Sequence, residues 1–156
     1  MKIAFIFPGQ GSQYPGMGLD ISNHYPGAQS TFERADDLLG YKISALCWEK
    51  DEKRSHEKLS SWLKHVGDRF HLEFLDRLQQ KLQKRPLLEY TRYSQPAVFT
   101  VSVACLEALR RELGSRGAHV DFDMAAGHSL GEYTALYATG AFDFEEGLML
   151  VKARGE

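Results

Sequence analysis

Residues 124–133 read MAAGHSLGEY, and this stretch decides the fold. Gly127-His128-Ser129-Leu130-Gly131 has the spacing G-x-S-x-G, which sets a serine on a sharp turn between a strand and a helix. Upstream, HVDFDMAAGHS supplies the strand that ends at this elbow. Downstream, Leu130 to Ala138 is expected to be helical and to end at Gly140. A serine hydroxyl is a poor nucleophile at neutral pH. It needs a base within hydrogen-bond reach and donors aimed at the developing oxyanion. The turn lifts the serine oxygen above the sheet, and the following helix directs its N-terminal amides toward negative charge. The backbone N–H of Leu130 is the natural first oxyanion donor.

Working outward, the N-terminal stretch KIAFIFPGQGSQYPGMG opens on a short continuous apolar run, Ile3 to Phe7. Bounded by Pro8 and Gly9, it reads as a strand buried on both faces, as in a parallel sheet. STFERADDLLG begins with Ser30-x-x-Glu33, the pattern of a capping box, and ends at Gly40, so a helix is expected between them. In SQPAVFTVSVACLEALRRELG, Pro96 suits a first helical turn and Gly114 a stop, with a buried apolar helix between. Asp143-x-x-Glu146 caps a last helix running through Leu148, Leu150 and Val151 to Arg154. Strands and helices alternate, so the fold class is α/β. Two strands are few for a doubly wound sheet, and the isolated chain is expected to be only marginally stable, with an apolar edge left open.

Residues 50–86 differ in texture. Between Glu49 and Arg85 there are 10 basic and 7 acidic residues. Leu59, Leu63, Val66, Phe70, Phe74, Leu78 and Leu82 step by three or four, one face of a helix or of two helices broken near Gly67. We read a helical, charged insertion there, decorating the surface, with a docking site for a carrier protein as the sharper alternative. His56, His65 and His71 fall on its polar side and lack metal-ligand spacing.

The chain of 156 residues is 43% hydrophobic and 26% charged, with a formal charge of −2. That balance points to neither nucleic acid nor an anionic membrane as partner. No stretch approaches the length of a membrane span. Cys47 and Cys105 sit in apolar surroundings without C-x-x-C spacing and read as buried, reduced thiols of a cytoplasmic protein.

Two stretches together, FPGQGSQYPGMG and AGHSLGEYTAL, closely resemble the malonyl-CoA:acyl carrier protein transacylases of fatty-acid and polyketide synthesis. FERADDLLGY, YSQPAVFTVSVACLEAL and GAFDFEEGLMLVKARGE are similar as well. LGYKISALC and AFDFEEGL look most like the discrete acyltransferases that serve polyketide synthases in trans. The resemblance covers nearly the whole chain outside 50–86. It implies the first half of an α/β-hydrolase-like large subdomain across 1–156, with the ferredoxin-like small subdomain absent.

By that resemblance, Ser129 is the nucleophile that carries the acyl group as an ester. Gln10 lines the oxyanion hole beside the Leu130 amide. Arg154 grips the free carboxylate of a malonyl group, a bidentate role that lysine would not fill. His128 shapes the pocket and is not the base. The family's catalytic histidine, and the residue orienting it, lie farther along than this chain matches. The implied substrates are malonyl-CoA and the phosphopantetheine thiol of an acyl carrier protein, with a polyketide synthase as a further partner. No metal or other cofactor is called for. Two rival readings stand beside this one: an acyl hydrolase on the same scaffold, and an inert fragment lacking its base.

Overall fold

In the computed structural model, residues 2–49 and 87–156 are described. The sequence-read insertion at 50–86, with its three histidines, therefore lies outside the described residues. The order is β1 (Ala4–Phe7), α1 (Leu19–His24), α2 (Pro26–Leu39), α3 (Ile43–Trp48), a 3-10 turn (Leu87–Glu89), α4 (Thr91–Ser115), β2 (Met124–Gly127), α5 (Gly131–Ala138) and α6 (Phe144–Gly155). β1 and β2 pair in parallel, Ala4 opposite Met124 and Phe7 opposite Gly127, and both strands end at the elbow.

α4 is the spine. Its 25 residues are buried from Tyr93 to Thr100 and pack against α2 on one side and α6 on the other. The main core gathers there around Phe32, Ile43, Phe99, Leu130, Leu148 and Val151, all essentially without solvent contact. Phe99 stacks on Phe144 at 6.0 Å between ring centroids, which fastens α4 to the start of α6. A buried phenylalanine of this kind contributes about 3–5 kcal/mol relative to alanine. A smaller cluster of Phe7, Leu106, Ala135 and Ala138 seats β1 on α4 and α5. Beside it Tyr137 donates to Glu107 at 2.8 Å, and Arg110 closes onto the same carboxylate and onto the Ala138 carbonyl. Burial first, and then the Glu107 contact, push the Tyr137 phenol well above the usual tyrosine range, so it remains a donor.

Local chemistry sets the helix ends. Asp143 caps α6 by accepting from the Glu146 N–H at 2.8 Å, while the Glu146 side chain takes the Asp143 N–H at 3.0 Å. This is the capping box expected from sequence, and such a cap stabilises by about 1 kcal/mol. α3 is capped from a distance. Buried Asp36 accepts from the Ser44 N–H at 2.9 Å and from its hydroxyl at 2.6 Å. Asp36 lies one helix away, so no local pattern announces it.

Four sequence readings are corrected. Ser30-x-x-Glu33 is no cap. α2 starts earlier, at Pro26 with Tyr25 as its N-cap, because proline at the first helical position fixes the backbone there. Pro96 stands inside α4 rather than at its start, and Gly114 is helical, with the turn falling at Gly117 (φ +72°). β1 is not buried on both faces. Phe5 and Phe7 face the helices, but Ala4 and Ile6 are exposed, Ile6 by 79%. Across the pair, Met124 and Ala126 continue the same apolar, exposed face. Finally, Cys47 is buried as expected, whereas Cys105 reaches the surface because it falls off the packed stripe of α4.

Two glycines should respond oppositely to alanine. At Gly114, helical and open, alanine is expected to raise stability by about 0.5–1 kcal/mol. At Gly127 a Cβ would lie 2.0 Å from the Gly131 carbonyl carbon, and alanine should lower the melting temperature sharply. Thermal unfolding followed by circular dichroism compares the two.

Candidate active site

The elbow is built from backbone pressed on backbone. A Cβ on Gly127 would meet the Gly131 carbonyl oxygen at 2.1 Å and the Glu132 nitrogen at 2.3 Å. A Cβ on Gly131 would meet the Phe7 carbonyl oxygen at 2.3 Å. Real side chains never tolerate such distances, so both outer positions of G-x-S-x-G must be glycine here. Their close approach turns the chain through Ser129, whose φ of +52° is the one positive value outside glycine among the described residues. Holding a non-glycine residue there costs about 1–2 kcal/mol. The same crowding brings in the Pro8-Gly9-Gln10 loop, since a Cβ on Gly9 would lie 2.5 Å from the His128 carbonyl oxygen.

Ser129 and Arg154 meet. Arg154 sits in the last turn of α6, and its Nη2 donates to Ser129 Oγ at 2.8 Å across 25 residues of sequence. Its Nη1 donates to Gln95 Oε1 at 2.7 Å. The guanidinium carbon lies 5.8 Å from the centre of the Tyr133 ring, a cation–π contact from α5. Both bonds use single N–H groups of a five-donor fork, so donors remain for an incoming anion. Arg154 and Ser129 are both open to solvent, as a substrate site requires.

The Leu130 side chain is fully buried in the main core, which anchors the first turn after the serine. Its neighbours' amides are occupied: the Gly131 N–H bonds the His128 carbonyl and the Glu132 N–H bonds that of Ser129. Neither the Leu130 N–H nor the Gln10 N–H has a hydrogen-bond partner among the described residues. Gln10 itself is turned sideways. Its Nε2 donates to Thr91 Oγ1 at 3.3 Å and its Oε1 accepts from Gln95 Nε2 at 3.4 Å. The Gln10 backbone N–H, without a partner among the described residues, stands apart from this side-chain network.

Sequence reasoning missed Gln95. It is 3% exposed in a run of buried residues on α4, and it joins Arg154 to Gln10. A buried carboxamide costs about 1–3 kcal/mol unless it is bonded. The available signal was a glutamine immediately before Pro96, at the head of the apolar run Ala97-Val98-Phe99.

No histidine ring nitrogen bonds Ser129 Oγ among the described residues. His24 Nδ1 meets the Asp20 carbonyl at 2.7 Å, on α1. The His128 ring turns its Nδ1 toward Gly9. A guanidinium cannot accept a proton, so the proton of Ser129 has no acceptor among these groups.

With this geometry in hand, the comparisons are informative. Residues 4–156 match the family of the acyl transferase domain, and the chain belongs to that family. It is 41% identical over 154 residues to the polyketide biosynthesis protein PksE of Bacillus subtilis, covering 99% of this chain and 15% of PksE. It is 35% identical over 155 residues to the malonyl CoA-acyl carrier protein transacylase of the same organism, covering 99% of this chain and 37% of that one. The crystal structure of the malonyl-CoA:acyl carrier protein transacylase from Helicobacter pylori superposes with a TM-score of 0.71 at 30% identity, over 99% of this chain and 38% of that one. The chain thus spans well under half the length of these relatives, and its fold is a part of theirs.

The strained serine is separable from its chemistry. Ser129→Gly should melt above Ser129→Ala by about 1 kcal/mol, because only glycine relieves the positive φ. Paired chemical denaturation of the two variants reads that difference directly.

Proposed function

We propose that this acyl transferase chain carries the acylation half-site of a malonyl transfer from coenzyme A to an acyl carrier protein. The observation that carries the reading is Arg154 Nη2 at 2.8 Å from Ser129 Oγ. A cation held at the nucleophile favours negative charge there for any acyl group, but one with donors to spare does more. It suits a short diacid, whose far carboxylate falls within reach of the guanidinium once its near carbonyl is at the serine.

In this reading Ser129 Oγ attacks the thioester carbonyl of malonyl-CoA. The oxygen that becomes negative is met by the free N–H groups of Leu130 and Gln10. Coenzyme A leaves as its thiol, and malonate remains as an ester on Ser129. The phosphopantetheine thiol of the carrier protein then attacks that ester, returning the serine and taking the malonyl group. Each attack needs a base, and each departure an acid. By resemblance to the family, a histidine serves as that proton carrier.

Arg154 argues against the hydrolase alternative, since a malonyl clamp beside the serine favours an extender unit kept for transfer. The transacylase and polyketide names of the relatives support a carrier protein as partner and a polyketide synthase as the wider setting. Serine and arginine carry the chemistry, so no metal or other cofactor is required by this reading. Among the described residues no helix is long and apolar enough to cross a membrane, and we place the reaction in the cytoplasm.

The test is intact-mass spectrometry of the chain after incubation with malonyl-CoA. A single malonyl adduct on Ser129 is expected, absent in Ser129→Ala. Arg154→Ala should cut malonyl loading at least tenfold relative to acetyl loading from acetyl-CoA, the scale of one charge-assisted contact. Equal labelling of Ser129→Ala, or no preference for malonyl over acetyl, would overturn the reading.

A further inference from the structure

We propose that Gln95 is a positioning residue that aims Arg154 at the acyl group and ties that aim to the Gln10 loop. The inference rests on the malonyl-transfer reading of the same site. Arginine can only donate hydrogen bonds. Arg154 Nη1 therefore dictates that the Gln95 carboxamide presents its oxygen to the arginine, at 2.7 Å. The Gln95 nitrogen must then face the other way, where it donates to Gln10 Oε1 at 3.4 Å. That in turn leaves Gln10 Nε2 to donate onward to Thr91 Oγ1 at 3.3 Å. The amide orientations, ambiguous for an isolated glutamine, are fixed here by one cation at the end of the chain.

The consequence is mechanical. Gln95 is buried on the rigid spine helix, beside Pro96. Arg154 and Gln10 are exposed and come from opposite ends of the sequence. Without Gln95, a long flexible side chain in the last turn of α6 would be held only by Ser129 and the face of the Tyr133 ring. With it, one guanidinium N–H is anchored to the scaffold and the others are swung over the serine. Gly155 adds to this registration, because a Cβ there would lie 3.0 Å from the Thr91 carbonyl oxygen, so α6 closes directly on the first turn of α4. Anchoring is worth most for an acyl group that ends in a carboxylate and nothing for one that does not.

Gln95→Ala, Gln95→Glu, Arg154→Ala and the Gln95→Ala/Arg154→Ala double variant are compared for loading of Ser129 from malonyl-CoA and from acetyl-CoA. Thermal unfolding of each shows that it folds. Gln95→Ala is expected to slow malonyl loading about tenfold with acetyl loading unchanged. Gln95→Glu keeps the side chain's size but sets an anion on the guanidinium, so malonyl loading should fall further still. In the Arg154→Ala background, Gln95→Ala should change nothing, since the residue it positions is gone. Equal loss of malonyl and acetyl loading, or an unchanged Gln95→Ala effect without Arg154, would assign Gln95 a merely structural role. A second readout is independent of loading: the Arg154 η-nitrogen NMR signals should be resolved in the wild type and averaged in Gln95→Ala. Wild type that takes no malonyl would sink the proposed function. Resolved signals lost in Gln95→Ala would still uphold the Gln95–Arg154 anchor, and signals unchanged by the substitution would overturn it.

Discussion

The architecture depends on one contact, the backbone of Gly127 lying against that of Gly131 where β2 turns into α5. No side-chain atom fits between them, so the turn is as tight as a polypeptide allows. That tightness forces Ser129 to a positive φ and projects its oxygen from the end of the sheet. It also seats Gly131 on the Phe7 and Pro8 carbonyls, which brings the end of β1 and the Gln10 loop to the same place. The exposed Ser129 hydroxyl, the Leu130 amide and the Gln10 loop are thus brought together by a steric constraint at two glycines. The strain at Ser129 is offset elsewhere, by Leu130 buried in the core immediately behind it.

The second requirement is delivery of Arg154, and the fold meets it through α4. That helix holds α6 by aromatic stacking at one end of α6 and by close backbone approach at the other. The Asp143–Glu146 cap defines where α6 begins, and so how far its last turn reaches. Arg34 adds a surface tie, pairing with Glu145 and lying over the Phe144 ring at 5.0 Å. Such exposed pairs contribute little individually, about 0–1 kcal/mol. The apolar interior of the α2–α4–α6 layer carries the weight. Among the buried polar residues of that layer, Gln95 is the one that bonds both Arg154 and Gln10.

Much was legible from local chemistry. The elbow, both strands, the helix after Ser129 and the capped last helix all rest on short-range rules: glycine spacing, apolar runs, and a carboxylate three residues from its partner amide. The misread boundaries fail because each residue has the right chemistry for a helix end while its neighbours continue the helix. Pro26 starts α2 ahead of Ser30, the buried turn of Tyr93, Ser94 and Gln95 carries α4 upstream of Pro96, and α4 runs through exposed Gly114 to Ser115. The exposed face of Ile6 and Met124 was misread because a continuous apolar run states that a strand can be buried, not that something covers it.

The sequence by itself determined the turn at Ser129, because G-x-S-x-G encodes a contact between residues four apart. It pointed to Gln10 and Arg154 only through resemblance to a family. The tertiary structure alone decided that Arg154 touches Ser129, that Gln95 stands between Arg154 and Gln10, and that the Gln10 side chain turns away toward Thr91. These contacts join residues 25, 59, 85 and 81 positions apart. No local pattern spans such distances. They exist because α4 and α6 pack their apolar faces together, and that packing fixes which polar groups meet at the rim.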